Sequence, residues 1–154
     1  MKLERILKNC QTTFTLENFK NINLKGISSD SREIKNNFLF GAIKGKKING
    51  EKFIKDLILF KNLVIVLSSN SNSKIYKEHK NITIIKTKDV RKLIAEISYF
   101  FFSKSLNEIV AITGTNGKTS IAEYVRQIWN IKKLSCCSIG TLGIIYGKKK
   151  ICET

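Results

Sequence analysis

The feature that most constrains the fold is a short glycine loop between a β-branched run and an amphipathic helical pattern. The run Ile109-Val110-Ala111-Ile112 leads into Thr113-Gly114-Thr115-Asn116-Gly117-Lys118-Thr119-Ser120. Apolar residues then recur at helical spacing, at Ile121, Tyr124, Val125, Ile128 and Trp129. The pattern predicts a strand over 108–113, a loop over 114–117 and a helix over 118–131.

The residues of this loop are those that phosphate binding needs. Glycines let backbone N–H groups approach an anion closely, and a helix start adds unpaired N–H groups and the positive end of its dipole. Lys118 can reach outer phosphates, and the Thr119 hydroxyl can ligate Mg²⁺. The general phosphate-loop consensus would place a glycine at position 112, where this chain has isoleucine. The alternative is a strand-to-helix turn without phosphate binding, in which the glycines serve only the backbone conformation.

The rest of the chain alternates strand and helix patterns, which predicts an α/β fold. Helical patterns cover residues 1–8, 51–60 and 90–102, the last with Asp89 as its cap. Strand patterns cover 25–31, 37–43, 63–67, 82–85, 134–139 and 142–146. With a linker at 103–105, we expect a small α/β domain at 1–104 and the incomplete start of a phosphate-loop α/β domain at 105–154.

Composition and net charge limit the classes of protein to which this chain could belong. The chain has 154 residues, 42% of them hydrophobic, with short apolar runs and no secretory signal pattern, so we expect a cytoplasmic protein and no membrane partner. The net charge is +16, which could indicate a nucleic-acid binder. Only four of the 28 basic residues are arginine, the residue that base recognition favours, so we expect no nucleic-acid partner. The four cysteines include no C-x-x-C pair, so we expect thiols that bind no metal.

Three blocks of the sequence resemble the Mur ligases, the ATP-dependent amide ligases that build the peptidoglycan stem peptide. Thr113-Gly114-Thr115-Asn116-Gly117-Lys118-Thr119 is similar to the family's shortened ATP loop. Residues 28–32 with 37–45, followed by 48–54, resemble its N-terminal "DSR…GdlFvAlkG" and "DGhdFi" blocks, from which Asn37, Asn49 and Glu51 depart. Ser138-Ile139-Gly140-Thr141-Leu142-Gly143 resembles a segment of the MurE type.

The resemblance implies a nucleotide-sugar-binding N-terminal domain at 1–104 and the beginning of the central ATP-binding domain at 105–154. It implies that the UDP-sugar site is formed by Ser29, Ser31, Lys46, Lys47 and Ile48. It also implies an ATP and Mg²⁺ site at Gly114, Thr115, Asn116, Gly117, Lys118, Thr119 and Ser120, with Lys118 catalytic and Thr119 on the metal.

The implied activity is a step of cell-wall biogenesis, on which cell shape and division depend. ATP phosphorylates a carboxylate of UDP-N-acetylmuramoyl-dipeptide, and the amine of an amino acid, diaminopimelate or lysine, displaces the phosphate. No hydrophobic run ending in Asp or Glu follows the loop, so a second Mg²⁺ carboxylate has no candidate. We therefore expect this chain alone not to catalyse ligation.

Other functional interpretations stay open at the level of sequence. They are a UDP-sugar-binding module without turnover, an unrelated phosphate-loop NTPase fragment, and a nucleic-acid binder. The sequence does not choose the amino acid or the oligomeric state.

Overall fold

The described residues fall into two compact units, Met1–Ser105 and Leu106–Thr154. The structure is a computed structural model, and it describes residues 1–45, 48–73, 76, 78–102 and 106–152. The predicted linker at 103–105 lies outside these ranges.

The first unit is built on a five-stranded sheet. Its strands are β1 (Phe14–Glu17), β2 (Gly26–Ser28), β3 (Phe38–Gly41), β4 (Leu63–Ser68) and β5 (Ile82–Thr87), in the spatial order β1-β5-β4-β3-β2. Strands β2 to β5 are parallel to their neighbours, and β1 pairs antiparallel with β5. The carboxyl ends of four strands therefore lie at one edge of the sheet.

Helices and 3-10 turns cover both faces of this sheet. They are α1 (Leu3–Leu7), a 3-10 turn (Ser31–Glu33), a second 3-10 turn (Gly50–Phe53), α2 (Ile54–Leu57) and α3 (Val90–Phe102). Asp89 Oδ1 accepts a hydrogen bond from Lys92 N at 3.0 Å, which confirms the predicted cap of α3.

Alternation along the strands divides the core into two apolar clusters. Leu63, Ile65 and Leu67 face the cluster that contains α2, whereas Val64 and Val66 face the cluster that contains α1 and α3. Because both faces are covered, β4 and β5 are almost continuously buried, and β4 is apolar from Leu63 to Leu67, as is typical of parallel strands. The predicted α/β class is confirmed.

The helical pattern at 51–60 forms less helix than predicted. It begins as a 3-10 turn, in which Asn49 Oδ1 accepts from Glu51 N at 3.2 Å, and only one turn of α-helix follows. The connection must return the chain to the start of β4, and Phe60 N already bonds Leu57 O at 3.0 Å. A short crossover therefore overrides the apolar spacing.

The second unit consists of a helix and a three-stranded antiparallel sheet. These are α4 (Lys118–Ile131), β6 (Cys137–Gly140), β7 (Gly143–Tyr146) and β8 (Lys149–Cys152), with β7 in the centre. The predicted helix 118–131 is confirmed, and β8 was not predicted.

The predicted strand at 108–113 was wrong. These residues lie outside every strand of the structure, and Ile109 is 78% exposed. A strand is stabilised by a ladder partner, and the sheet described in this unit pairs β6, β7 and β8 only with one another. The β-branched sequence alone does not supply such a partner.

Candidate functional site

Two loops at the carboxyl edge of the first sheet carry residues predicted for the UDP-sugar site. Ser29 follows β2 and is exposed, and Ser31 begins the next 3-10 turn. Ile48, in the loop that follows β3, is 56% exposed. Because β2 and β3 are neighbours, both loops leave the same edge of the sheet. Lys46 and Lys47, predicted for the same site, lie outside the described residues.

Asp30 shapes the loop after β2. Its Oδ1 accepts from the backbone N of Arg32 at 2.9 Å, and its carboxylate pairs with the Arg32 guanidinium at 2.5 Å. The hydrogen bonds from the Arg32 side chain and backbone lower the pKa of Asp30 to about 2. The carboxylate thus stabilises the turn in which Ser29 and Ser31 flank Asp30 in the chain.

The loop after β3 closes on itself through its backbone. Gly45 N donates to Ile48 O at 2.8 Å, and Lys44 and Asn49 form an isolated antiparallel bridge. Gly50 N donates to Ile43 O at 3.0 Å, and a Cβ on Gly50 would lie 2.9 Å from that same oxygen. Glycine at position 50 therefore allows the two stems of the loop to approach each other.

Side chains from other elements hold the same loop, and sequence reasoning did not assign them to the site. Ser71 Oγ donates to Glu51 Oε1, which connects the turn after Asn49 to the segment that follows β4. Arg91, in the first turn of α3, donates to Lys44 O at 3.4 Å. These partners lie 20 and 47 residues apart, so no local sequence signal could have revealed them.

The predicted phosphate loop of the second unit leads directly into α4. Gly114 has a φ of 145° and Gly117 a φ of 77°, both in the left-handed region that favours glycine. Gly117 is the N-cap residue of α4, and no side chain caps the helix. The first N–H groups of α4 therefore receive no side-chain hydrogen bond from the N-cap residue, at an end of the helix that is exposed.

Lys118 lies over this loop. Its Nζ donates to the carbonyl oxygen of Gly114 and, at 2.9 Å, to that of Thr115. Residues 113–120 are all exposed, so the ammonium, the Thr119 hydroxyl and the backbone are accessible to a ligand from solvent. Backbone donors, one ammonium and one hydroxyl are the groups that bind a phosphate chain with Mg²⁺.

Metal groups built from acidic, histidine or cysteine side chains are absent from the described ranges. No three such side chains come together there as possible ligands. Likewise, the described helices include none that is both long and apolar enough to cross a membrane.

Comparison with known proteins gives one consistent set of relatives, although no protein-family profile matches the chain. Over 134 residues, 86% of the chain, it is 33% identical to the UDP-N-acetylmuramoyl-L-alanyl-D-glutamate–2,6-diaminopimelate ligase of Rickettsia prowazekii. It is 38% identical over 123 residues, 80% of the chain, to the protein of that name from Zymomonas mobilis. A second such ligase of Clostridium acetobutylicum is 31% identical over 153 residues, 98% of the chain. The chain spans only 24–31% of the length of these relatives.

Proposed function

Since the chain belongs to the Mur ligase family, with relatives of the MurE type, we propose that it forms part of an ATP-dependent ligase of peptidoglycan precursor synthesis. The proposed reaction joins an amino acid to UDP-N-acetylmuramoyl-L-alanyl-D-glutamate in the cytoplasm. We propose 2,6-diaminopimelate as the amino acid, because the names of the relatives state it.

The observation that carries this proposal is the start of α4. Two glycines with left-handed φ angles precede a helix end that has no side-chain cap, and Lys118 lies beside them. We propose that the N–H groups of residues 114–120 and the Lys118 ammonium bind the phosphates of ATP, and that Thr119 holds Mg²⁺. ATP would supply the phosphoryl group that activates the substrate carboxylate.

Lys118 would contribute charge at the place where phosphoryl transfer needs it. Its ammonium is a compact charge on a flexible stem, so it can exchange the Gly114 and Thr115 carbonyls for phosphate oxygens. Positive charge beside the transferred group stabilises the charge that develops on it. Residues 105–154 would therefore belong to the ATP-binding domain.

The first unit would bind the nucleotide sugar at the carboxyl edge of its sheet. Ligands of open α/β sheets bind beyond the carboxyl ends of the strands, where the loops after β2 and β3 lie. We propose that the hydroxyls of Ser29 and Ser31 hydrogen-bond the nucleotide and that Ile48 packs against it. Lys46 and Lys47 would face its diphosphate.

Calorimetric titration of the chain with UDP-N-acetylmuramoyl-L-alanyl-D-glutamate tests this site. The Ser29→Ala and Ile48→Asp variants should each weaken binding, whereas Lys55→Ala, an exposed change on α2, should leave it unchanged. If the folded chain releases no heat at millimolar ligand, the nucleotide-sugar proposal is wrong. Uridine monophosphate and adenosine monophosphate, titrated in parallel, test whether the base is selected.

A further inference from the structure

Arg126 is a buried charged side chain in a unit where most of the described large apolar side chains are exposed. It is 9% exposed, whereas Ile121, Tyr124 and Ile128 on the same helix are 50%, 63% and 52% exposed. Among residues 106–151, Arg126 and Cys136 are the only buried side chains larger than hydrogen. Apolar burial therefore contributes little to fixing α4 on the sheet of the described second unit.

The Arg126 guanidinium joins α4 to the turn between β7 and β8. Its Nη1 donates to Gly147 O, and its Nη2 and Nε donate to the Glu123 carboxylate. Glu123 also accepts from Gln127 Nε2 at 3.0 Å. Hydrogen bonds from Gln127 and Arg126 lower the pKa of Glu123, so the carboxylate stays charged opposite the guanidinium.

Gly147 is the point at which these contacts converge. Its carbonyl also accepts from Asn130 Nδ2 at 3.2 Å, one helical turn beyond Arg126. Its N–H donates to Cys136 O at 3.2 Å. Cys136 Sγ in turn donates a hydrogen bond to Arg126 O at 3.4 Å. Two turns of α4, the residue before β6 and the β7–β8 turn thus share one hydrogen-bond network.

The position of this network determines what it controls. Arg126 lies eight residues after Lys118, about 12 Å along a rigid helix. A helix held at that end by directional hydrogen bonds keeps its other end, with the glycine loop, pointing in one direction. A displacement of about 1 Å is enough to cost about a hundredfold in the rate of a reaction whose groups must be aligned.

We propose that Arg126 is a positioning residue for the phosphate loop, and that it acts through the Gly147 carbonyl. The proposal rests on the proposed ATP site. Arg126 itself would not contact ATP. Arg126 sets the orientation of α4, and α4 carries the backbone donors of residues 114–120.

The test compares two replacements of Arg126 in the whole chain. Arg126→Met keeps an unbranched apolar stem like that of arginine but removes every donor, and Arg126→Lys keeps a donor for Gly147 O. Lys132→Met, an exposed change just beyond α4, is the matched control. The readouts are amide exchange of residues 115–121, affinity for Mg·ATP, and affinity for UDP-N-acetylmuramoyl-L-alanyl-D-glutamate.

We expect Arg126→Met to speed exchange in residues 115–121 and to lower Mg·ATP affinity about tenfold, about 1.4 kcal/mol. Arg126→Lys should stay within about threefold of the parent, since a donor for the carbonyl remains, and Lys132→Met should match the parent. Affinity for the UDP-sugar should not change in any of them. Parent-like exchange in Arg126→Met, or an equal loss in Arg126→Lys, overturns the proposal.

Two further outcomes separate this proposal from others. If the parent chain binds no Mg·ATP, the ATP site itself is wrong, and the exchange comparison still decides the role of Arg126. If Arg126→Met abolishes the protection of the α4 amides from exchange altogether, Glu123→Gln is tested in place of Arg126→Met as the milder variant. A rise in loop exchange in Glu123→Gln supports positioning, whereas parent-like exchange there reduces Arg126 to a folding role.

Discussion

At the scale of single residues, Cys10 shows how burial controls a reactive group. Its thiol donates to Ile6 O at 3.5 Å, and burial together with the charge of Glu96 raises its pKa to about 11. Burial disfavours the thiolate, the form that reacts with electrophiles. Cys137, by contrast, is exposed at the start of β6.

We predict that Cys10 is alkylated much more slowly than Cys137 at pH 8. Cys10 should react at an appreciable rate only as the pH approaches 11. The raised pKa means that its contribution to folding stability is complete below pH 9 and is lost as the pH rises through 11. Mass spectrometry of each cysteine after a timed iodoacetamide pulse measures this, with denatured chain as the control. Equal rates in the native chain at pH 8 would contradict it.

The sequence predicts single residues well where their role is local. The cap at Asp89 and the loop glycines at 114 and 117 depend on neighbours within three residues. Glu51 and Arg91 could not be predicted, because their partners, Ser71 and Lys44, meet them only in the folded chain. Arg126 resembled any charged helical residue until its environment was known.

At the scale of elements, a single carboxylate joins the segment before β1 to α3. Glu96 accepts hydrogen bonds from Gln11 N and Thr12 N, both at 3.0 Å, and from Thr12 Oγ1 at 2.9 Å. These bonds, with those from Thr12 foremost, lower the pKa of Glu96. A carboxylate with a lowered pKa stabilises the fold above its ordinary pKa, and the contribution is lost as the pH falls through the lowered value.

We predict that Glu96→Gln lowers the melting temperature at neutral pH and reduces the acid sensitivity of folding. An amide oxygen keeps one acceptor but loses the charge, so its bonds are weaker and do not titrate. Melting curves between pH 7 and pH 3 measure the difference, which should shrink towards the acid end. Asp56→Asn, an exposed change on α2, is the control. A constant difference across this pH range would show that the charge of Glu96 does not matter.

The elements differ in how far their sequences determine them. Apolar runs predicted β4 and β5, and helical spacing predicted α3 and α4, because each pattern is long and regular. The run at 108–113 has equal β-propensity but finds no partner strand in the described unit. Strand formation depends on distant pairing, whereas helix formation depends on residues three and four apart.

At the scale of the whole molecule, the two units differ in their cores. The first has apolar clusters on both faces of its sheet, and residues of β4 such as Leu63, Val64 and Ile65 are fully buried. The second exposes many of its large apolar side chains, among them Ile109, Leu134, Ile139 and Ile151. Stability against local opening follows buried apolar contact.

We therefore predict that amides of the second unit exchange faster than those of the first. Exchange in β4 and β5 should be slower by about a hundredfold or more than exchange in α4. Peptide-resolved hydrogen exchange at neutral pH measures both units in one sample. Equal protection of α4 and β4 would contradict the role given to the apolar clusters.

We propose that the chain carries two separate ligand sites, one in each unit. The most direct test is calorimetry of Lys118→Ala with Mg·ATP and with UDP-N-acetylmuramoyl-L-alanyl-D-glutamate. Lys132→Ala, at the other end of α4, serves as the matched loss of charge. We predict that Lys118→Ala lowers Mg·ATP affinity at least about tenfold, about 1.4 kcal/mol, and leaves affinity for the UDP-sugar unchanged. Unchanged Mg·ATP affinity in Lys118→Ala, or equal loss of both ligands by a folded variant, would contradict the claim.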